Sequence, residues 1–263
     1  MAKRIDPSTV RAAYRGGHEA LRTWLTDLPS RAWEQPSVLP GWAVADLAAH
    51  LALVADAVTA VAPAPRGVRA RTVSDYLAAY APVAGEQAER TRAVAADAGR
   101  DAERILAAVD ERYGAAVRAL EDLGLDDVVV TTRRVPVRLG DFLVTRVIEA
   151  AVHADDLARS VPDAGPPALP RDTLRLAVRA LLDVLAERAP GRSVEVRVAP
   201  FAAVQCIEGP RHTRGTPPNT VDLGPASWLR LAAGRTTWSD EVASGAVLAS
   251  GNRADLSAHL PLL

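Results

Sequence analysis

The chain is short of several things, and each shortage excludes a class of protein. It has one cysteine, Cys206, which rules out an internal disulfide framework and a cysteine-based zinc cluster. Any metal site must therefore be built from Asp, Glu and the five histidines. Excess charge is also missing: 31 basic against 32 acidic residues leave a net charge of -1. A nucleic-acid binder normally carries a net basic face, so no nucleic-acid partner is expected. No uncharged run reaches the roughly 18 apolar residues that a membrane span needs. The N-terminal MAKRIDPSTVRAAYRGG has no apolar core, so no secretory signal is expected and the expected compartment is a reducing cytoplasm. Lysine is nearly absent (Lys3 alone), which with the abundance of alanine reads as the codon composition of a GC-rich genome.

What remains is ordinary for a globular protein. The 263 residues are 49% hydrophobic and 24% charged, enough to bury a real core in one large or two small domains. Aromatics make up 4%, so the five tryptophans stand out.

The first part of the chain reads as helix. Asp6-Pro7 supplies an N-cap and an N1 proline, and Val10, Tyr14, Leu21, Trp24 and Leu25 then recur at helical spacing. After a loop with Pro36, Pro40 and Gly41, a second helix is expected from about Ala43 to Val61. From Val73 to about Leu123 the Ala/Arg/Glu/Leu-rich sequence predicts one long helix, or a pair broken at Pro82, and its 85–112 stretch reads as a solvated face. Val128–Thr132 has strand propensity but is short, and is expected to be an extended connection. A last helix of this half is expected over Leu139–Ser160. Four long antiparallel helices make a bundle whose interior can hold a metal between facing side chains.

The segment from Val161 to Pro167 reads as a linker, with domains expected at 1–163 and 164–263. Beyond it the pattern becomes α+β. A helix over 171–189 precedes SVEVRVAP, whose alternating Val194, Val196 and Val198 read as a strand. Short strands near Ala203–Cys206 and Thr220–Leu223 are expected, then a short SWLRLAAG helix and a final helix ending at Leu263. The expected fold class is therefore α+β, a helical bundle followed by a small α+β domain.

Two helical segments carry the candidate chemistry. In IEAAVH, Glu149 and His153 are four apart and project from one face of a helix flanked by Val147, Ile148, Val152 and Leu157. A carboxylate and an imidazole on a buried face are costly unless paired or metal-bound, so a simple Glu–His hydrogen bond competes with ligation. In PGWAVADLAAHLA, His50 lies between Leu47 and Leu51 and points partly inward, as a satisfied core histidine also would. If the two helices face one another, the three side chains form a His–His–Glu set with a fourth position open, the pattern of catalytic zinc sites. Cobalt, nickel or iron could use the same ligands. Asp46, four before His50, could orient its second ring nitrogen, and Asp156 could act behind His153.

On these residues the chain resembles the mycothiol-dependent maleylpyruvate isomerase family, whose bundle is DinB-like. PGWAVADLAAHLA is similar to the family's Gly-Trp…Asp-Leu…His element, and RVIEAAVHADDLARS to its Glu-x-x-x-His-x-x-Asp-Leu element. The resemblance implies a divalent metal, usually zinc, on His50, Glu149 and His153. SWLRLAAGRTTW is similar to a family segment ending in Ala-Gly-Arg, which implies a catalytic role for Arg235, and SGAVLASGNRADL is similar to sterol-carrier-like C-terminal domains. By itself Arg235 reads as a cation at a helix C-terminus.

The implied chemistry uses a low-molecular-weight thiol, mycothiol or another, as cofactor. Its thiolate would add to a cis alkene, permit rotation and leave again, or would displace a leaving group as an S-transferase does. The expected partners are this thiol and a small-molecule substrate, in a monomer or homodimer. The competing classes are a non-catalytic, metal-stabilised ligand-binding or regulatory protein, and metal-activated hydrolysis. No Walker A loop, dinucleotide glycine fingerprint or nucleophile elbow is present. Cys206 reads as a small buried hydrophobe, and His212 and His259 as loop and terminal residues.

Overall fold

A computed structural model of the protein describes residues 5–79, 84–124, 126–209 and 218–263. The chain forms two compact units that divide between Thr173 and Leu174, inside a helix. The first is helical. Helix α1 (Pro7–Thr26) starts as the sequence predicts, with the Asp6 carboxylate accepting from the Ser8 N–H at 2.8 Å, and it buries Val10, Tyr14, Leu21, Trp24 and Leu25. After the single turn α2 (Ser30–Trp33) comes α3 (Val44–Thr59), which is buried on nearly every side. That follows from its composition: apart from Asp46, His50, Asp56 and Thr59 the helix is Ala, Val and Leu. It is the central helix, packed against α5 (Ala84–Asp97), α6 (Ala102–Asp122) and α7 (Leu139–Ser160), while α1 covers another side of α7.

Where one long helix or a broken pair is expected between Val73 and about Leu123, the described residues form three helices, α4 (Val73–Ala78), α5 and α6. The expected break at Pro82 lies outside the described residues. A second break falls at Gly99 and Arg100, both left-handed at φ 64° and 52°. There the Gly99 and Arg100 N–H groups close back on the carbonyls of Ala96 and Ala95, and Asp101 caps α6 through the Arg104 N–H at 2.9 Å. This reversal folds the Ala/Arg/Glu run back on itself and lets both arms lie against α3.

Val128–Thr132 is also more than a connection. Val129–Thr131 forms β2, the middle strand between β1 (Ala62–Pro63) and β3 (Val137–Arg138), antiparallel to both, with Val130 opposite Pro63 and Val137. Val130 and Val137 are buried, so tertiary packing rather than strand length stabilises this small sheet. Its β2–β3 turn carries Arg133 and Arg134. The expected linker is tied to the first unit, where the Trp24 indole N–H donates to the Gly165 carbonyl at 2.9 Å; just beyond it, in the first turn of the next helix, the Thr173 hydroxyl donates to the Ala13 carbonyl at 3.0 Å.

The second unit holds most of α8 (Arg171–Arg188) and a four-stranded sheet in the order β5–β4–β6–β7. Strand β4 (Val194–Val198) buries Val194, Val196 and Val198 as their alternation predicts. It pairs antiparallel with β5 (Ala202–Cys206) and parallel with β6 (Thr220–Leu223), and β6 pairs antiparallel with β7 (Val247–Ser250). Helices α9 (Pro225–Ala232) and α10 (Trp238–Ala243) complete it, with Trp228 fully buried and its N–H on the Val178 carbonyl. Gly191, at φ 152°, is required where it stands, because a Cβ there would sit 2.0 Å from the Ile207 carbonyl oxygen. The expected final helix is absent. The Asp255 carboxylate takes the Ser257 N–H at 2.8 Å, Pro261 has no N–H to give, and a single 3-10 turn (Ser257–His259) leads into an extended end. No helix among the described residues is long and apolar enough to cross a membrane.

Candidate metal centre

Helices α3 and α7 bring His50, Glu149 and His153 together. One ligand atom from each lies within 4.8 Å of the others. The Glu149 Oε2 atom is 3.2 Å from His153 Nε2 and 3.7 Å from His50 Nε2, and the two rings meet edge to face with centroids 4.8 Å apart. An ion with bonds near 2.1 Å separates its tetrahedral ligands by roughly 3.4 Å. The two carboxylate–imidazole distances bracket that value and all three donor atoms lie within 4.8 Å of one another, so small side-chain adjustments would let the set hold a divalent metal.

The other ring nitrogens are occupied by residues that set their direction. His50 Nδ1 is 3.0 Å from the hydroxyl of Thr91, a fully buried residue of α5. His153 Nδ1 is 3.1 Å from Asp156 Oδ2, also fully buried. Each imidazole is thereby left with Nε2 facing Glu149, the arrangement by which carboxylate or hydroxyl partners orient metal-binding histidines. Thr91 escaped the sequence reading because it lies in a stretch that looks solvated. Its signal is a small polar residue one helical turn from Ala95, on the face that α5 turns to α3. Asp46 does not orient His50. It accepts from the Ala43 N–H at 2.8 Å at the start of α3 and forms an ion pair with Arg100 at 3.3 Å.

The metal-free electrostatics follow from this packing. Burial lowers the pKa of His50 below its usual value, against the pull of Glu149. Burial works on His153 in the same direction, but the carboxylates of Asp156 and Glu149 outweigh it and raise the imidazole to about 9. Burial pushes the Glu149 carboxyl up, yet the hydrogen bond from His153, the nearby His50 imidazole and the Arg146 charge together hold it well below the usual carboxylate range. Arg146, one turn earlier on α7, places Nη2 3.6 Å from Glu149 Oε1.

Residues 14–158 match the family model described as the mycothiol maleylpyruvate isomerase N-terminal domain. The chain belongs to that family. Residues 170–262 match a second model, described as a bacterial SCP ortholog. No functionally curated protein matches the sequence. Among solved structures the chain is similar to a mycothiol-dependent maleylpyruvate isomerase, at 18% identity and a TM-score of 0.57 over 95% of each chain. A histidine-to-alanine mutant of that isomerase gives 17% and 0.55, again over 95% of each chain. These likenesses show a shared fold over that 95% of the chain.

In this family member the three ligand candidates lie in the first unit and Arg235 in the second. Arg235 follows α9, with its N–H on the Arg230 carbonyl at 2.8 Å and Nη1 on the Ala233 carbonyl at 3.1 Å. Cys206 is buried on β5, and burial pushes its thiol up to about 11. His212 lies outside the described residues.

His18 is elsewhere in the helical unit, stacked on Tyr113 with ring centroids 3.4 Å apart. Burial lowers its pKa to about 4, with Asp110 pulling it up and Arg22 pushing it down. Its folded value is below the unfolded one, so its contribution to stability is complete above pH ~6.5 and is lost as the pH falls towards 4. The loss is at most about 3 kcal/mol. His18→Gln should flatten the fall in urea stability between pH 6.5 and 4.5; an unchanged slope would remove His18 as its cause.

Proposed function

We propose that this protein is a metal-dependent isomerase that uses a low-molecular-weight thiol, mycothiol in the first instance, to interconvert cis and trans alkenes in a small substrate. The observation that carries the proposal is the buried His50–Glu149–His153 set with both Nδ1 atoms already engaged, inside the segment that matches the isomerase family model. When bound there, a divalent ion, zinc on the donor chemistry, would supply a Lewis acid that favours the thiolate form of a thiol near neutral pH. The chain's own residues do the rest. His50 and His153 would hold the ion through Nε2 and Glu149 through its carboxylate, with Thr91 and Asp156 keeping the rings in register. Leu53, Val54 and Phe142 line the adjoining cleft and limit water. Arg235 is the proposed catalytic residue, holding a substrate carboxylate or the enolate charge that develops as the alkene is attacked. Displacement of a leaving group in the same place would make an S-transferase, and product analysis separates the two.

The test begins with metal analysis, continues with calorimetric titration of the metal-loaded protein with mycothiol, and ends with maleylpyruvate turnover with and without the thiol. Metal-dependent thiol binding and thiol-dependent turnover are expected. A protein that binds metal but no thiol would instead be the non-catalytic, metal-stabilised binding protein. Arg235→Ala should keep its metal and its thiol affinity while turnover falls by roughly 100-fold. Unchanged kinetics would sink the role of Arg235.

A further inference from the structure

Beside His50 and Glu149 the first unit opens a cleft with further polar lining that the ligand set does not use. Tyr76 comes from α4, Thr132, Arg133 and Arg134 from the β2–β3 turn, and Arg146 from α7. Among the described lining residues three guanidiniums face one carboxylate, and that carboxylate, Glu149, is turned to the imidazoles. A divalent ion on the ligands adds to the positive excess.

Two of these arginines are built into the wall. The Arg146 side chain is 5% exposed, and it pairs with a carboxylate that also serves two imidazoles. Its guanidinium lies 5.4 Å from the centroid of the Phe142 ring. Arg134 donates through Nη1 to the Tyr76 hydroxyl, and its guanidinium stands 4.9 Å from the centroid of the same ring. Tyr76 is 3% exposed and meets Phe142 edge-on at 5.9 Å. One buried aromatic pair therefore backs both guanidiniums and fixes their planes. A planar fork held this way suits a carboxylate.

We propose that Arg134 and Arg146 seat a carboxylate of the substrate beside the metal ligands, with Tyr76 as the positioning residue for Arg134. The exposed Arg133 adds charge at the mouth that draws anions in. The inference rests on the isomerase reading for what the carboxylate belongs to, while the seat itself is made by the bundle's own residues.

The test uses the zinc-loaded protein and calorimetric titration with succinate, a dicarboxylate with no alkene, and with its neutral diamide. The wild type should bind succinate and not the diamide. Arg134→Gln should lower succinate affinity roughly tenfold, the scale of one charge-assisted hydrogen bond, with zinc content unchanged. Tyr76→Phe keeps the ring and removes the hydroxyl, so it should give a smaller loss that in turnover raises KM and leaves kcat. Arg146→Lys keeps the charge beside Glu149 and should retain zinc while binding succinate more weakly. Equal succinate affinity in the wild type and Arg134→Gln would overturn the seat, as would equal binding of succinate and the diamide by the wild type. Absent thiol-dependent turnover with the succinate difference intact would remove the isomerase reading and leave the seat standing. Turnover with an unchanged KM in Arg134→Gln would do the reverse.

Discussion

His50→Ala and Glu149→Gln should each yield a folded protein that no longer holds zinc and has lost thiol-dependent turnover. Glu149 Oε2 stands between the two imidazoles, 3.2 Å from His153 and 3.7 Å from His50, so an amide there removes the anionic member of the set without changing its volume. Losing a residue behind a ligand typically costs 10–100-fold in metal affinity. Losing a ligand itself should cost more than roughly 100-fold, which at micromolar protein empties the site. Zinc measured after gel filtration is the direct readout, and circular dichroism checks the fold. In the metal-free state the variants differ. Glu149→Gln leaves the Arg146 guanidinium, 5% exposed, without its carboxylate and should lower the unfolding midpoint. His50→Ala leaves a small void beside Thr91, with no charge unpaired. Full zinc loading in both variants would remove the proposed site, whatever the turnover.

The parts of this site that were legible in the sequence are those set by local periodicity. Glu149 and His153 share a face because they are four apart, and Leu139–Ser160 forms the helix that its apolar pattern predicts. His50 points inward because its neighbours on α3 are apolar almost without interruption. That α3 faces α7 is a tertiary fact, which family resemblance supplied and periodicity could not. The misses are contacts between distant elements. Thr91 is 41 positions from His50, and it reaches the ring because the chain reverses at Gly99 and Arg100, where a helical composition hides two left-handed residues. Asp46 has the right spacing to serve His50, but the unpaired amides at the start of α3 are nearer and claim it. Arg134 and Tyr76 are 58 positions apart and meet only because the three short strands pair. A two- or three-residue strand has too little sequence to announce itself, and its register is set by burying Val130 and Val137.

Asp156→Asn should separate the ligand set from the residues that orient it. Asp156 is fully buried at 3.1 Å from His153 Nδ1, and its charge is a leading reason the metal-free imidazole is raised to about 9. The amide is isosteric, so packing survives, but a neutral oxygen accepts the Nδ1–H less strongly and makes the ligating nitrogen less basic. Zinc affinity should fall by about 10–100-fold, while zinc still binds with the same stoichiometry at saturating concentration. The metal-free His153 should then titrate below its wild-type value, because the largest favourable partner of its charged form has gone. Thr91→Val makes the parallel cut at His50. There the lost bond is between neutral groups at 3.0 Å, so the loss should be roughly tenfold or less. The order of the two losses is the informative result. If Thr91→Val weakens zinc as much as Asp156→Asn, the hydroxyl fixes the geometry of the set as firmly as the carboxylate does, and charge on the partner is not what matters. If neither changes zinc affinity, the rings are held by helix packing alone, and these two residues have no part in the centre.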